Sequence, residues 1–222
     1  MGSRWMSVLA AIALGAGSAR AQMLGVPVLQ NAFTNAGVTI AGNFASGSGG
    51  TRAYGGAAAW SPASAGFQVS AGAGSFDPGV AGSGASFTYG ARVMIPVWHY
   101  MGDAMGVGVF GGAGGGKVAG VTQTLIPIGL SVGYRRAFGA TRAFSLYAVP
   151  FYAWSKTSTV TSSSSTGSTT TGTTRGDVYA SAGLDVALLP QLGVTAGYQT
   201  GGPSWSKGQV GLAVSYALSR VR

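Results

Sequence analysis

The sequence contains no cysteine and a single histidine, His99. Without thiols the chain forms no disulfide bond and no thiolate metal site. Charged residues are also scarce, since they make up 8% of the 222 residues, against about 25% in an ordinary soluble domain. A chain with so little charge is suited to an apolar environment.

Long apolar runs are missing as well. After Ala21 no stretch approaches the roughly 20 apolar residues that a membrane-spanning helix needs. The 40 glycines further oppose helix formation. A β-barrel is the other structure that satisfies every backbone polar group within a bilayer. Composition therefore predicts one all-β, transmembrane, antiparallel up-and-down barrel domain.

The first 21 residues have the three parts of a secretory signal peptide. Arg4 supplies the positive end, residues 5–17 are largely apolar, and Ala19-Arg20-Ala21 matches a small-x-small cleavage site. We therefore divide the chain into a signal peptide (1–21), a periplasmic N-terminal segment (22–34), a barrel (35–218) and a C-terminal tail (219–222).

Ten segments carry strand signals, and most have the length of about 9 to 11 residues that a tilted spanning strand requires. They are residues 36–45, 53–61, 66–76, 84–96, 105–115, 123–138, 143–155, 176–188, 192–200 and 208–218. The facing of the fifth and seventh is left open, because Phe110 conflicts with Val107 and Val109, and residues 144–154 are apolar on both faces. Eight strands is the alternative if these regions are divided differently.

Irregularities are expected at two prolines and in one loop. Pro127 and Pro150 lie inside predicted strands, where a missing N–H predicts a bulge or kink. Residues 156–175 are rich in serine and threonine and have almost nothing apolar to bury, so they predict a long outer loop. The other outer connections are also longer than most inner ones, as in known barrels of this type.

Charged side chains fall into two groups. Alternation turns Arg92, Arg135 and Asp185 toward the lumen, and counting from the inner strand ends predicts one charge cluster near the periplasmic mouth. The second group is basic and lies in or beside outer loops. It consists of Arg52, Lys117, Lys156, Arg175 and Lys207. We expect these side chains to meet phosphate groups at the outer membrane surface.

Aromatic residues concentrate at strand ends, which predicts two girdles at the membrane interfaces. Outer members are Phe44, Tyr54, Phe87 and Tyr198, and inner members are Trp60, Phe67, Tyr134, Phe138 and Tyr216.

The last strand alternates strictly between apolar and small or polar residues. Within it Gln209, Gly211, Val214 and Tyr216 resemble the closing signal of Gram-negative outer-membrane barrels. With the signal peptide and the strand pattern, the chain resembles small barrels of the OmpA/OmpX-like type. The resemblance implies location in the cell outer membrane, with lipid, lipopolysaccharide and the barrel-assembly machinery as partners.

Motifs that would indicate nucleotide chemistry or catalysis are weak. Residues 106–111 fit G-x-G-x-x-G and residues 111–117 fit part of a P-loop, but neither is followed by a helix signal. No basic run is interleaved with aromatics, so nucleic acid is not an expected partner. His99 lies between Trp98 and Tyr100, and the outer carboxylates Asp77 and Asp177 have no partner base. We predict no enzyme, no cofactor and no metal site.

Two functions are favoured after these exclusions. Predicted lumen residues are mostly small, and bulky ones are scarce, which favours a narrow passive channel; Arg92 and Arg135 would give it a mild anion preference. The alternative is a closed structural barrel whose outer loops bind a ligand, a surface or lipopolysaccharide. An outer-membrane enzyme is the third and weakest possibility.

Overall fold

The computed structural model describes the barrel and a short segment before it. The described residues are 31–34, 36–47, 50–62, 66–77, 79, 85–101, 104–118, 121–138, 142–163, 167–202 and 208–218. The predicted signal peptide, residues 22–30, Lys207 and the tail 219–222 lie outside these ranges.

Ten antiparallel strands form one closed barrel, in which each strand pairs with its sequence neighbours and the first pairs with the last. The strands are β1 (Gly37–Gly47), β2 (Arg52–Ser61), β3 (Gln68–Asp77), β4 (Ser86–Tyr100), β5 (Met105–Val118), β6 (Val121–Ala137), β7 (Ala143–Ser163), β8 (Gly167–Ala187), β9 (Leu192–Gly201) and β10 (Gln209–Ala217). Closure runs from Thr39↔Ala217 to Gly47↔Gln209. The predicted ten-stranded, all-β barrel is confirmed.

We call the end of the barrel where β1 begins and β10 ends the inner end, and the opposite end the outer end. Along each strand, side chains alternate between the outward face and the lumen. In β4, for example, Val93 and Ile95 are exposed on the outward face while Arg92 and Met94 are buried. Within the described ranges no helix reaches the length and hydropathy that crossing a membrane requires.

The predicted outer loop at residues 156–175 is wrong for most of its length. β7 and β8 continue through it and pair from Ser158↔Gly172 to Ser163↔Gly167. β6 stops pairing with β7 at Thr122↔Ser158, and β9 stops pairing with β8 at Tyr179↔Gly201. β7 after Ser158 and β8 before Tyr179 pair only with each other. We call residues 159–163 and 167–178 the outer ribbon. Threonine favours strands because its β-branched side chain suits a pleated backbone.

Neither Pro127 nor Pro150 shifts the register, so neither forms the predicted bulge. Pro127 remains opposite Ala153 of β7 while its pairing with β5 is skipped, and Pro150 remains opposite Ala180 of β8 while its pairing with β6 is skipped. A residue in an antiparallel ladder donates its N–H to one neighbour only. Each proline therefore lacks backbone hydrogen bonds to one neighbouring strand and stays paired with the other.

The register shift occurs instead at Val97, between Pro96 and Trp98 of β4. The extra residue reverses the alternation, so that Trp98 and Tyr100 are both exposed and their rings stack with centroids 5.5 Å apart. β4 consequently runs to Tyr100 rather than to residue 96. The predicted strand limits left residues 97–104 as the connection between β4 and β5. In the structure this connection is shorter and covers residues 101–104.

Deletion of Val97 tests the bulge. If Val97 is the extra residue, its deletion leaves Trp98 opposite Val107 in a regular ladder, with Trp98 and Tyr100 still on the outward face. We expect the free energy of unfolding to fall by less than about 1 kcal/mol, measured by urea titration of the refolded protein in detergent micelles. Deletion of Val93, in the regular part of β4, is the control, because it exchanges the inward and outward faces along part of the strand and should cost about 2 kcal/mol or more. Equal losses for the two deletions would contradict the assignment.

Candidate functional site

The lumen is lined by two different kinds of wall. On β1, β2, β3, β9 and β10 the inward residues are mostly alanine, glycine, serine and other small or polar residues. On β4 to β8 large apolar side chains point inward and form one buried cluster. We call it the central block, and it consists of Met94, Phe110, Leu125, Tyr147, Val149, Phe151, Ala153 and Tyr179.

Aromatic contacts hold the central block together. Phe110 meets Phe151 edge to face with ring centroids 6.1 Å apart, and Phe151 stacks on Tyr179 at 5.1 Å. Such pairs contribute about 0.5 to 1.5 kcal/mol each beyond the apolar area that they bury. Val149 is 0% exposed, and Phe110 is 4% exposed. The expectation that bulky lumen residues are scarce is therefore wrong.

The central block escaped the sequence analysis because it lies on the two strands whose facing was left open. On β5, Val107 and Val109 have one parity and Phe110 the other, so the three residues fit a regular strand with Phe110 inward. On β7, lipid covers one apolar face and the block covers the other. A strand that is apolar on both faces is the sequence signal that would have revealed a filled lumen.

Glycines of the neighbouring strands make room for the block. The Tyr147 ring packs over Gly183 of β8 and Gly197 of β9, and a Cβ at Gly197 would lie 2.8 Å from the Tyr147 hydroxyl. On β6, Gly129 lies directly beneath Phe151. These glycines are needed for close approach of a side chain to the backbone rather than for an unusual φ angle.

Arg92 is embedded in the central block. Its side chain is 2% exposed, its guanidinium carbon lies 3.9 Å from the centroid of the Phe110 ring, and Nη2 donates to Met94 Sδ at 3.7 Å. Tyr147 lies within electrostatic range of both Arg92 and Asp185. An arginine over an aromatic face gains about 2 kcal/mol or more when the pair is desolvated. The charge is thus held inside an apolar environment.

The inner mouth contains a polar cavity of about 180 Å³. Its lining includes Arg135 and Asp185, together with Asn31 and Phe33 from the segment before β1. Asp185 accepts hydrogen bonds from Asn31 Nδ2 at 2.5 Å and from Thr195 Oγ1 at 2.6 Å. The described part of the predicted N-terminal segment therefore lies against the barrel wall.

The structure brings together two of the three residues of the predicted lumen charge cluster. Arg135 and Asp185 line one cavity, whereas Arg92 is not among its lining residues. β4 continues to Tyr100, so Arg92 lies well above the inner end of its strand, while Arg135 and Asp185 lie close to the inner ends of theirs. The prediction of one cluster counted residues from the inner end of each strand. It is wrong for Arg92, because it placed the inner end of β4 at residue 96 rather than at Tyr100.

Three of the predicted outer basic residues have the parity of lipid-facing neighbours. Arg52 and Lys117 are exposed at the outer ends of β2 and β5, and Lys156 is exposed on β7 just below the point where its pairing with β6 ends. Arg52 and Lys156 each lie two residues beyond an exposed aromatic side chain, Tyr54 and Trp154. Long basic side chains at this height extend toward the headgroups while their stems pack on apolar surface.

The other basic residue within the described outer end is engaged differently. Arg175 Nε forms an ion pair with Asp177 at 3.0 Å, and the arginine side chain is largely exposed. Exposed pairs of this kind contribute about 0 to 1 kcal/mol. Lys207, the fifth predicted member of the group, lies outside the described residues.

The predicted assembly signal spans β10 with its residues on alternate faces. Gln209 and Gly211 face the lumen, while Val214 and Tyr216 are exposed on the outward face. The Tyr216 hydroxyl donates to Gln191 Oε1 at 3.0 Å at the inner end. The aromatic residue therefore lies in the inner girdle. Its role in recognition by the assembly machinery stays a prediction.

His99 and the outer carboxylates lie at opposite ends of the barrel. His99 is near the inner end of β4 and stacks on Phe33 with ring centroids 6.3 Å apart. Asp77 ends β3 at the outer end and accepts a hydrogen bond from the Gly79 N–H at 2.9 Å. Among the residues that the structure describes, no group of three or more His, Cys, Asp or Glu residues is arranged to hold a metal ion.

An apolar belt surrounds the barrel and decides its class. Large apolar side chains are exposed on the outward faces of all ten strands, from Ile40 on β1 to Leu212 on β10. Aromatic residues stand at both ends of this belt, as the two predicted girdles require. The chain is a small β-barrel of the transmembrane type. Its apolar belt is exposed on the outward surface, as in barrels that cross a membrane with their strands.

Comparison with known proteins gives low sequence similarity throughout. No family model matches the barrel, and the search of curated proteins gives no match. The barrel is similar to the N-terminal β-barrel domain of Pseudomonas aeruginosa OprF (11% identity, 82% of this chain and 98% of that one, TM-score 0.38). It is also similar to the KdgM porin (8%, 82% and 99%, 0.41) and to Ail of Yersinia pestis (9%, 81% and 93%, 0.29). These TM-scores are low, so the assignment rests on the closed sheet and its belt.

Truncation of Phe110 tests the central block. We expect Phe110→Ala to lower the free energy of unfolding by about 3 to 5 kcal/mol, because it removes a buried ring and leaves Arg92 without its aromatic partner. Urea titration in micelles measures this loss. Phe87→Ala, at an outward position that is 66% exposed, is the control and should cost less than half as much. A similar loss at both positions would argue against a packed lumen.

Proposed function

We propose that this barrel has an occluded lumen and serves as a membrane scaffold whose outer end binds a ligand, a surface or lipopolysaccharide. The observation that carries the proposal is the central block, whose members come from five consecutive strands and are almost completely buried. A freely conducting pore needs a water-filled path, and buried apolar side chains at mid-barrel oppose one.

The outer ribbon supports the scaffold role. It extends two paired strands beyond the points where β6 and β9 end, and it begins on strands that are fixed in the barrel. Hydroxyl groups also link its base, since Ser155 Oγ donates to the Arg175 carbonyl at 3.4 Å and Thr157 Oγ1 donates to the Thr173 carbonyl at 3.3 Å. A paired, hydroxyl-rich projection on a closed barrel is suited to presenting a binding surface.

Arg52, Lys117 and Lys156, which we call the basic rim, support contact with lipopolysaccharide. All three are exposed toward the outer end of the barrel and share the parity of the outward apolar residues. Phosphate groups attract such side chains by about 1 kcal/mol per residue. This contact would anchor the barrel in the outer leaflet whatever its ribbon binds.

A narrow channel with mild anion preference is the second candidate. Small residues line the wall opposite the central block. In that wall the side-chain amide of Gln209, and Nε2 of the facing Gln199, are buried without a hydrogen-bond partner among the described residues. Polar groups of this kind favour a hydrated path, and Arg92 and Arg135 would make it attractive to anions.

We also propose that the barrel is not an enzyme. His99 lies near the inner end, away from Asp77 and Asp177 at the outer end, so a histidine–carboxylate pair is not assembled from these three residues. Hydrolysis of surface substrates would require such groups within hydrogen-bonding reach of each other.

Conductance in planar lipid bilayers separates the two candidates. For the refolded protein under a salt gradient we expect no discrete current steps, because the central block occludes the lumen. Blue-shifted emission from the outward residues Trp60 and Trp154 would verify that the silent protein is inserted. Anion-preferring steps would instead support the channel.

Arg92→Gln and Arg135→Gln then identify the source of any current. If the channel reading is right, each substitution should reduce anion preference, and Arg136→Gln, an exposed charge near the inner end of β6, should leave it unchanged. Current that is insensitive to Arg92 and Arg135 would contradict the predicted anion preference while leaving a pore in place.

Neutralisation of the basic rim tests binding to lipopolysaccharide. Adding lipopolysaccharide should raise the free energy of unfolding of the wild type, measured by urea titration. The triple variant R52Q/K117Q/K156Q should lose most of that increase, which is up to about 3 kcal/mol for three charges. The difference should shrink at high salt, because screening weakens exposed charges. Arg136→Gln with Arg142→Gln, both exposed near the inner end, is the matched control. An equal increase for both variants would exclude the rim.

A further inference from the structure

We propose that residues 31–34 form a plug that seals the inner mouth of the barrel and controls entry of small polar solutes into the polar cavity. This inference stands apart from the proposed function, because the plug lies at the inner mouth whereas the central block fills the middle of the lumen. It holds for an occluded scaffold and for a gated channel alike. We call residues 31–34 the inner plug.

The path of the chain carries the first part of the argument. Gly37 begins β1, yet Phe33, four residues earlier, lies against Gly106 of β5 and Gly133 of β6. In the ring of ten strands, β6 is diametrically opposite β1. The segment must therefore cross the mouth rather than follow its rim. Ala32, between Asn31 and Phe33 in the same segment, is 0% exposed.

Asn31 ties the plug to the wall through the partly buried carboxylate of Asp185. Its Nδ2 donates to Asp185 Oδ2 at 2.5 Å, and its Oδ1 accepts from the Phe33 N–H at 3.4 Å. A carboxylate in the barrel interior requires donors, and Asp185 receives one from Thr195 on the wall and one from the plug. Hydrogen bonds to a charged acceptor are about twice as strong as neutral ones.

Phe33 fills a slot that the wall provides through missing side chains. A Cβ at Gly133 would lie 2.9 Å from the Phe33 ring, and a Cβ at Gly106 would lie 3.0 Å from it. His99 stacks on one side of the ring, and the Arg135 guanidinium lies 5.9 Å from its centroid. An alanine at either glycine would collide with the ring, so the slot fits an aromatic side chain of the plug.

The plug also forms one side of the polar cavity. Asn31 and Phe33 line it together with wall residues that include Arg135, Ser145 and Ser215. Removing the plug would open this cavity further to solvent at the inner mouth and would expose the Arg135 cation, the Asp185 carboxylate and wall hydroxyl groups. Solutes small enough for about 180 Å³ and able both to donate and to accept hydrogen bonds fit that chemistry.

Cysteine accessibility tests the seal directly, because the native chain contains no cysteine. The reporter is Ser145→Cys, since Ser145 lines the cavity and is 7% exposed. It is placed in the full chain, refolded into micelles and treated with a charged thiol reagent. Asn31→Asp, which sets a second carboxylate against Asp185, and Phe33→Ala are introduced separately. Neither lies in a strand, and circular dichroism verifies the sheet.

Both plug variants should raise the modification rate of the reporter by about tenfold or more, because each removes a contact that holds the segment in place. Matched controls are Asn43→Asp, which faces the lumen toward the outer end of β1, and Phe67→Ala just before β3. Neither control should change the rate. Fast modification without any plug substitution, or equal rates in plug and control variants, would overturn the proposal.

Discussion

Closure of the backbone ladder is the constraint on which the rest of the structure depends. In hydrocarbon every N–H and C=O must find a partner within the protein, and a sheet achieves this only when its first and last strands meet. Pairing of β1 with β10 completes that requirement over nine residue pairs. Once the ladder is closed, the outward faces must be apolar, but the inward faces are free to be open, filled or charged.

This barrel uses that freedom asymmetrically. Large inward side chains come from β4 to β8, and glycines on β6, β8 and β9 make room for them. Arg92 lies within the apolar cluster, where it contacts Phe110 and Met94. Burying a charge in such surroundings costs free energy, and charges kept there usually have a function. At the inner mouth a different solution appears, in which a preceding segment supplies the donor that Asp185 needs.

The sequence predicts the fold well because strand alternation and turn residues are local signals. Most strands begin and end near the predicted limits. β4, β5, β7 and β8 are longer than predicted, because their pairing with neighbouring strands continues. Hydroxyl-rich residues 156–175 look like a loop by composition, yet β7 and β8 continue through them by pairing with each other. The bulge at Val97 is likewise invisible in composition, although it changes which face Trp98 presents.

The lumen was harder to predict, because its contents depend on contacts across the barrel that no local pattern records. Facing alone indicated that Arg135 and Asp185 point inward, and they do line one cavity. The association of Arg92 with Phe110, and the return of Phe33 onto Gly106 and Gly133, depend on register and strand length. Two-faced apolarity in β7 was the available clue.

The outer ribbon has a mechanical consequence. Its two strands are β7 and β8, and these same strands carry Val149, Phe151 and Tyr179 of the central block. A pulling force applied at Ser163 or Gly167 is therefore transmitted along the two paired strands to the central block. Whatever pulls on the ribbon pulls on the side-chain packing inside the lumen.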